Sequence, residues 1–224
     1  MGDKTHMLKQ IRNKLDAGFS CLKLKIGAIQ FKDELYLIQK IRDEFNEDDL
    51  ELRLDANGAF QPNNALNKLE KLSEYGIHSI EQPIMASQLK EMKRLCEKSP
   101  IDIALDEELI YIKDHKKQKD IINYIQPQYI ILKPSLLGGF KATEQWISIA
   151  GENNIPWWIT SALEANVGLN AIAQFTSEFI NPLPQGLGTG LLYSNNIPSF
   201  LKIKGENLHI SKQLKWNEKI LQFN

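Results

Sequence analysis

Five ionisable residues, Lys25, Asp55, Glu81, Asp106 and Lys133, recur 25 to 30 residues apart, each near the end of a short apolar run. That interval is about the length of one strand-plus-helix unit in an α/β barrel of roughly 250 residues. If each run is one parallel strand, the five side chains gather at the carboxyl rim, where barrel enzymes keep their chemistry. Three carboxylates between two lysines then make a candidate metal site flanked by bases.

The intervening sequence supports alternation of strands and helices. Helical periodicity covers residues 4–15, 31–45, 62–75, 88–98, 113–124, 141–152 and 167–179, with Gly18 and Gly76 placed to stop two of them. Strands are expected at 21–26, 50–55, 78–82, 101–106, 129–133, 157–161 and 186–192, followed by an irregular tail with a hairpin around Gly205. Right-handed crossovers wind such units into a barrel or an open doubly wound sheet. An open sheet concentrates its ligands at one switch point, whereas here successive strands each offer a charged end. The barrel is the favoured fold: residues 1–194 as a catalytic β/α barrel and residues 195–224 as a tail on it.

Strand parity sharpens the reading. Lys23 shares a face with Lys25, and Arg53 with Asp55, while Leu22, Leu24, Leu52 and Leu54 face the helices. Four charges then point into a barrel interior that is normally apolar. Buried charges need partners, here carboxylates, a metal or an anionic substrate.

Asp55, Glu81 and Asp106 offer only oxygen, which suits a hard divalent ion, Mg²⁺ with Mn²⁺ as alternative, over zinc. A lysine near pKa 10.4 is a poor base at neutral pH, but a second ammonium and a metal nearby lower it, and Lys23 is placed to do so for Lys25. The chemistry suggested is proton abstraction α to a carboxylate, with a metal holding the developing enediolate. Taken singly, each motif has a plainer reading: Lys-x-Lys as a solvated strand edge, Asp-Ala-Asn-Gly as a turn, Glu-Gln-Pro as a strand end. Five such groups at five successive strand ends outweigh those readings.

Other classes find less support. The 224 residues are 42% hydrophobic and 25% charged with formal net charge −1. There is no basic surplus for nucleic acid or an anionic membrane, and no apolar run approaches the ~18 residues of a membrane span. Neither a leader pattern nor a disulfide or zinc spacing is present, so Cys21 and Cys96 read as reduced, structural thiols of a cytoplasmic protein.

Lys23-Leu-Lys25, Asp55-Ala-Asn-Gly-Ala-Phe60, Glu81-Gln-Pro83, Asp106-Glu-Glu-Leu109, Lys133-Pro-Ser and Ser161-Ala-Leu-Glu164 together resemble the enolase superfamily, and within it the o-succinylbenzoate synthases of menaquinone biosynthesis. The resemblance implies a modified barrel with Asp55, Glu81 and Asp106 as Mg²⁺ ligands. It makes Lys25 the base that removes the α proton and, as its conjugate acid, assists loss of hydroxide in a syn dehydration. Lys133 would stabilise the enediolate from the opposite face, and Lys23 would contact the substrate carboxylate and tune Lys25. Ser161 and the backbone N–H groups around Gly186 would hold the succinyl tail. Arg53 would be a partner of the carboxylates or a pocket contact, and Asn57 would orient the rim loop or touch substrate.

In that superfamily an α+β capping domain of a hundred or more residues precedes the barrel. The present sequence is expected to lack it together with most of the first strand, of which residues 1–3 would be the end, leaving seven strands and two exposed sheet edges. The missing parts are either lost from a fragment or supplied as a separate capping segment. Two other functions stay open. An N-acylamino acid racemase or dipeptide epimerase would use the same lysines and metal, and a non-catalytic barrel remnant would bind metal or a small acid without turnover.

Overall fold

The computed structural model describes residues 4–188 and 193–210. Six parallel strands form one sheet in sequential order: β1 (Cys21–Lys25), β2 (Glu51–Asp55), β3 (Ser79–Glu81), β4 (Asp102–Leu105), β5 (Tyr129–Leu132) and β6 (Trp157–Ile159). Helices α1 (Lys4–Asp16), α2 (Phe31–Glu44), α3 (Pro62–Ser73), α4 (Leu89–Lys98), α5 (His115–Ile125), α6 (Pro134–Leu137), α7 (Phe140–Glu152) and α8 (Asn166–Ser177) precede, connect or follow them. Every strand after the first joins its predecessor across helix, so each crossover is a βαβ unit and all strand carboxyl ends lie at one rim.

The alternation of side chains divides the interior in two. Leu22, Leu24, Leu52, Leu54, Ile80, Ile103, Leu105, Ile130, Leu132 and Ile159 face outward into one large core with the helices. Its deepest members include Ile38, Leu69, Leu72, Met92 and Trp146, all fully buried. On the inner face a smaller cluster of Ala104, Ile131 and Trp158, with Tyr129 and Leu183, fills the lower lumen. His78 leans on it, its ring centroid 5.1 Å from that of Tyr129 and 6.5 Å from that of Trp158.

At the end of the sheet opposite the rim, one guanidinium braces the turns that lead into β2 and β3. Arg42 on α2 donates to the carbonyls of Tyr75, Gly76, Asn46 and Leu50 at 2.8 to 3.1 Å, tying two αβ turns together. Between α2 and β2, Asn46 accepts from the N–H groups of Asp48 and Asp49 at 2.8 and 3.0 Å and donates to the Asp49 carboxylate at 2.7 Å. Such an Asx turn fixes a loop whose side chains are otherwise in water.

Two features differ from the sequence reading. The strand expected at 186–192 is a single parallel bridge between Thr160 and Gly186, with 189–192 outside the described residues. One turn of helix, α6, follows Lys133, begun by Pro134 at its first position and ended by Gly138 at φ 105°. As expected for a barrel without its first strand, β1 pairs with β2 alone among the described residues, and the sheet curls without closing. Residues 1–3, read as the end of a first strand, lie outside the described residues, as do 211–224 of the tail.

The expected hairpin is present: β7 (Leu201–Lys204) and β8 (Asn207–Ile210) pair antiparallel around Gly205, whose φ of 57° suits glycine. Leu201 and Leu208 pack against the main core. Glu206 accepts from the Ser20 N–H at 3.2 Å and from its hydroxyl. The hairpin therefore sits beside the entry to β1, next to the unpaired edge.

Candidate active site

The parallel register places the charged residues in rows. Lys25, Asp55 and Glu81 occupy matched positions on β1, β2 and β3. Asp106 and Lys133 directly follow β4 and β5, continuing the row around the curl. All point to the inner face, as the alternation requires.

The three carboxylates are nearly inaccessible, with Asp55 0%, Glu81 1% and Asp106 1% exposed. Three lysines reach them. Lys23 Nζ lies 2.6 Å from Glu81 Oε2 and 3.2 Å from Asp55 Oδ2. Lys25 Nζ lies 3.1 Å from Asp55 Oδ2. Lys133 Nζ lies 3.4 Å from Glu81 Oε1 and contacts Asp106 Oδ2. Two ammonium groups thus bridge three carboxylates in sequence. The β1 lysines are not buried as parity implied: the side chain of Lys25 is 48% and that of Lys23 32% exposed, because among the described residues no further strand covers β1.

The electrostatics follow from this crowding. Burial and the Glu81 carboxylate push Asp106 up to about 8, with Lys133 pulling the other way. At Lys133 burial disfavours the charged form, but Glu81 and Asp106 outweigh it and lift the amine to about 12. Glu81 and Asp55 likewise outweigh burial at Lys23 and raise it. At Asp55 burial is overcome by Lys23 and Lys25, and its carboxyl is held below the usual range. An all-oxygen set crowded enough to draw in two ammonium groups suits a hard divalent cation in donor chemistry. Among the described residues no three acidic, histidine or cysteine side chains stand together as a finished cage, since the ammonium groups lie between them.

The remaining expected residues are placed as follows. Asn57, at φ 43°, accepts from Lys25 Nζ at 2.6 Å, donates to Glu107 Oε1 at 2.9 Å and caps Asp55 Oδ1 through its own N–H at 3.0 Å. Arg53 lies one turn of alternation below Asp55, away from the carboxylates. Its guanidinium stacks 4.0 Å from the Trp158 ring, donates to Glu51 at 2.6 Å and crosses the lumen to the Pro184 carbonyl at 3.1 Å. Ser161 is buried at the β6 rim, its hydroxyl accepting from Leu163 N–H at 3.3 Å. Gly186 uses its N–H on the Ile159 carbonyl at 2.8 Å, so this donor serves the sheet. A Cβ there would lie 2.4 Å from Thr160 Oγ1, which is reason enough for glycine.

Sequence reasoning missed two residues at the rim, Gln82 and Glu108. Both are buried, and Gln82 bonds the backbone after β3 and β4 while Glu108 accepts from Ser87 N–H at 2.8 Å. They stood inside the Glu-Gln-Pro and Asp-Glu-Glu motifs, where only the flanking acids were read as chemical.

Comparison with known proteins bears on the fold and the family. Over 211 residues the chain is 54% identical to an o-succinylbenzoate synthase of Desulfotalea psychrophila, covering 94% of this chain and 57% of that protein. The crystal structure of MenC from the same organism superposes with a TM-score of 0.86 at 52% identity, covering 93% of this chain and 57% of that one. An L-Ala-D/L-Glu epimerase of Francisella tularensis subsp. novicida is 26% identical over 176 residues, 78% of this chain and 48% of that protein. The chain thus spans about half the length of the curated relatives it matches. With residues 6–210 matching that family and the inner-face row as described, the chain belongs to the enolase C-terminal domain-like family.

Proposed function

We propose that this chain carries the catalytic barrel of an o-succinylbenzoate synthase, acting in the cytoplasm in menaquinone biosynthesis. The observation that carries the reading is the convergence of Lys23, Lys25 and Lys133 on three buried carboxylates, in a chain 54% identical to a synthase of that name. Residues 1–194 would form the barrel and 195–224 the tail.

The substrate is 2-succinyl-6-hydroxy-2,4-cyclohexadiene-1-carboxylate. Asp55, Glu81 and Asp106 would hold Mg²⁺, or Mn²⁺ in its place, which when bound supplies positive charge for the enediolate oxygens. Lys25 takes the proton from the carbon α to the carboxylate; its half-exposed ammonium is the one most open to a ligand at the rim. The same amine, now protonated, returns that proton to the departing hydroxyl, so the carbon–oxygen bond breaks and water leaves as the ring becomes aromatic. Lys133, on the far side of the carboxylate row, stays charged and opposes the developing negative charge. Lys23 offers its ammonium to the substrate carboxylate, and Asn57 fixes the Lys25 side chain. Ser161 would meet the succinyl tail through its hydroxyl. Gly186 would line the tail's path, and Arg53 would set the floor of the pocket. A separate capping segment would complete the enclosure.

The test is an ultraviolet assay of the purified chain with the cyclohexadiene precursor and Mg²⁺, with and without EDTA. Aromatic product formed only with metal supports the reading; a folded chain without turnover would instead mark a metal-binding remnant. The similarity to epimerases favours a second reading, N-acylamino acid racemase or dipeptide epimerase. Under it, L-Ala-L-Glu in D₂O acquires deuterium at the α carbon while the precursor is untouched.

A further inference from the structure

Resting on the proposed metal-binding reading, we propose that Gln82 is a positioning residue that holds the three carboxylate-bearing strand ends at the spacing a divalent cation needs. Gln82 is fully buried at the end of β3 and adopts φ 40°, a conformation non-glycine residues rarely take. Its side chain uses its whole hydrogen-bonding capacity. Oε1 accepts from the N–H groups of Asp106 and Glu108 at 3.2 and 3.3 Å. Nε2 donates to the Ile84 carbonyl at 3.1 Å and to Glu108 Oε2 at 3.3 Å. Two acceptor and two donor directions are all an amide has, and only glutamine offers both at this reach.

The backbone of the same residue extends the brace. Gln82 N–H donates to the Ala104 carbonyl at 2.9 Å, and its carbonyl accepts from Gly58 N–H at 2.7 Å. Gly58 follows Asp55 by three residues, Glu81 precedes Gln82, and Asp106 is held by its own N–H. One residue therefore touches the backbone beside all three carboxylates from behind, leaving their oxygens to the inner face. Three mutually repelling carboxylates spread unless their backbones are pinned, and Gln82 is placed to pin them. Glu108, clamped in turn by Ser87 N–H, keeps the amide from rotating.

The experiment measures Mn²⁺ binding by the electron paramagnetic resonance signal of the free ion, using the full chain. Wild type is expected to bind Mn²⁺ and Glu81→Gln to lose it. Gln82→Met, of similar size but without the amide, should weaken binding by about 10- to 100-fold, the range for residues that orient metal ligands. Glu108→Gln leaves one amide oxygen for two donors, Gln82 Nε2 and Ser87 N–H, so the clamp on the Gln82 amide is lost and binding should weaken in the same direction; it serves if Gln82→Met does not fold. Leu72→Ala, a core change in α3 remote from the rim, should lower the melting temperature and leave Mn²⁺ affinity unchanged, separating positioning from general loosening. Wild-type affinity in Gln82→Met, or in Glu108→Gln where Gln82→Met does not fold, overturns the inference while the metal reading stands. Absence of Glu81-dependent binding in wild type overturns the metal reading, and the inference with it.

Discussion

Lys25 and Lys133 differ in surroundings more than in chemistry. Lys133 is held between two buried acids and lifted to about 12, whereas Lys25 reaches Asp55 and Asn57 with half its side chain in water. Replacing Lys25 by Ala should lower turnover by about 10²- to 10⁴-fold, with an unchanged far-ultraviolet circular dichroism spectrum; full activity in that variant would remove Lys25 from the mechanism. His78 permits a test of stability against pH. Burial, with Arg53 nearby, lowers its pKa below 6.5 despite Glu51 and Asp102. The folded state then binds a proton less readily than the unfolded chain. The stability contributed is present above pH 6.5 and is lost as pH falls through that value towards the folded pKa. Urea midpoints should fall between pH 7.5 and 5.5 more steeply for wild type than for His78→Phe. At this scale the acids and lysines were legible because their spacing repeats. Gln82 and Glu108 were not, since side chains that bond backbone groups leave no period in a sequence.

Strand and helix positions were read closely because parity and helical spacing are both strong here. Residues 50–55 were expected as strand and 51–55 pair, and the helix expected at 62–75 spans Pro62–Ser73. The one-turn α6 went unseen because four residues are too few to display a 3.6-residue period. Of the final strand, the described residues show the bridge at Gly186, where Thr160 approaches too closely for any side chain but that of glycine. The turn after β2 shows how an element can depend on one atom's absence. Gly58 has φ 74°, and a Cβ there would meet Met85 Cα at 2.9 Å, backbone that cannot easily give. Gly58→Ala should cost more than about 1 kcal/mol in urea unfolding. Within α3, Leu72→Ala should cost about 2–5 kcal/mol by the same measurement, since the leucine is fully buried between helix and sheet.

Considered whole, the molecule sets charge repulsion at the rim against apolar packing everywhere else. A divalent ion that relieves the repulsion binds the folded chain alone and must stabilise it. Thermal unfolding should move upward with Mg²⁺, by about 2.7 kcal/mol of added stability at a hundred times the dissociation constant. EDTA should reverse the shift, and Glu81→Gln should show none. A melting curve indifferent to Mg²⁺ in the millimolar range would count against the three-carboxylate site. The same all-parallel arrangement keeps the two ends of the sheet apart, with the row of lysines and carboxylates at one and the Asn46–Asp49 turn at the other. That turn is exposed and held by its own Asx bonds. A cysteine placed at Asp48, with Cys21 and Cys96 replaced by Ser, and coupled to a solid support would therefore immobilise the protein with its rim facing the liquid, giving a sensor surface on which every molecule presents the same side.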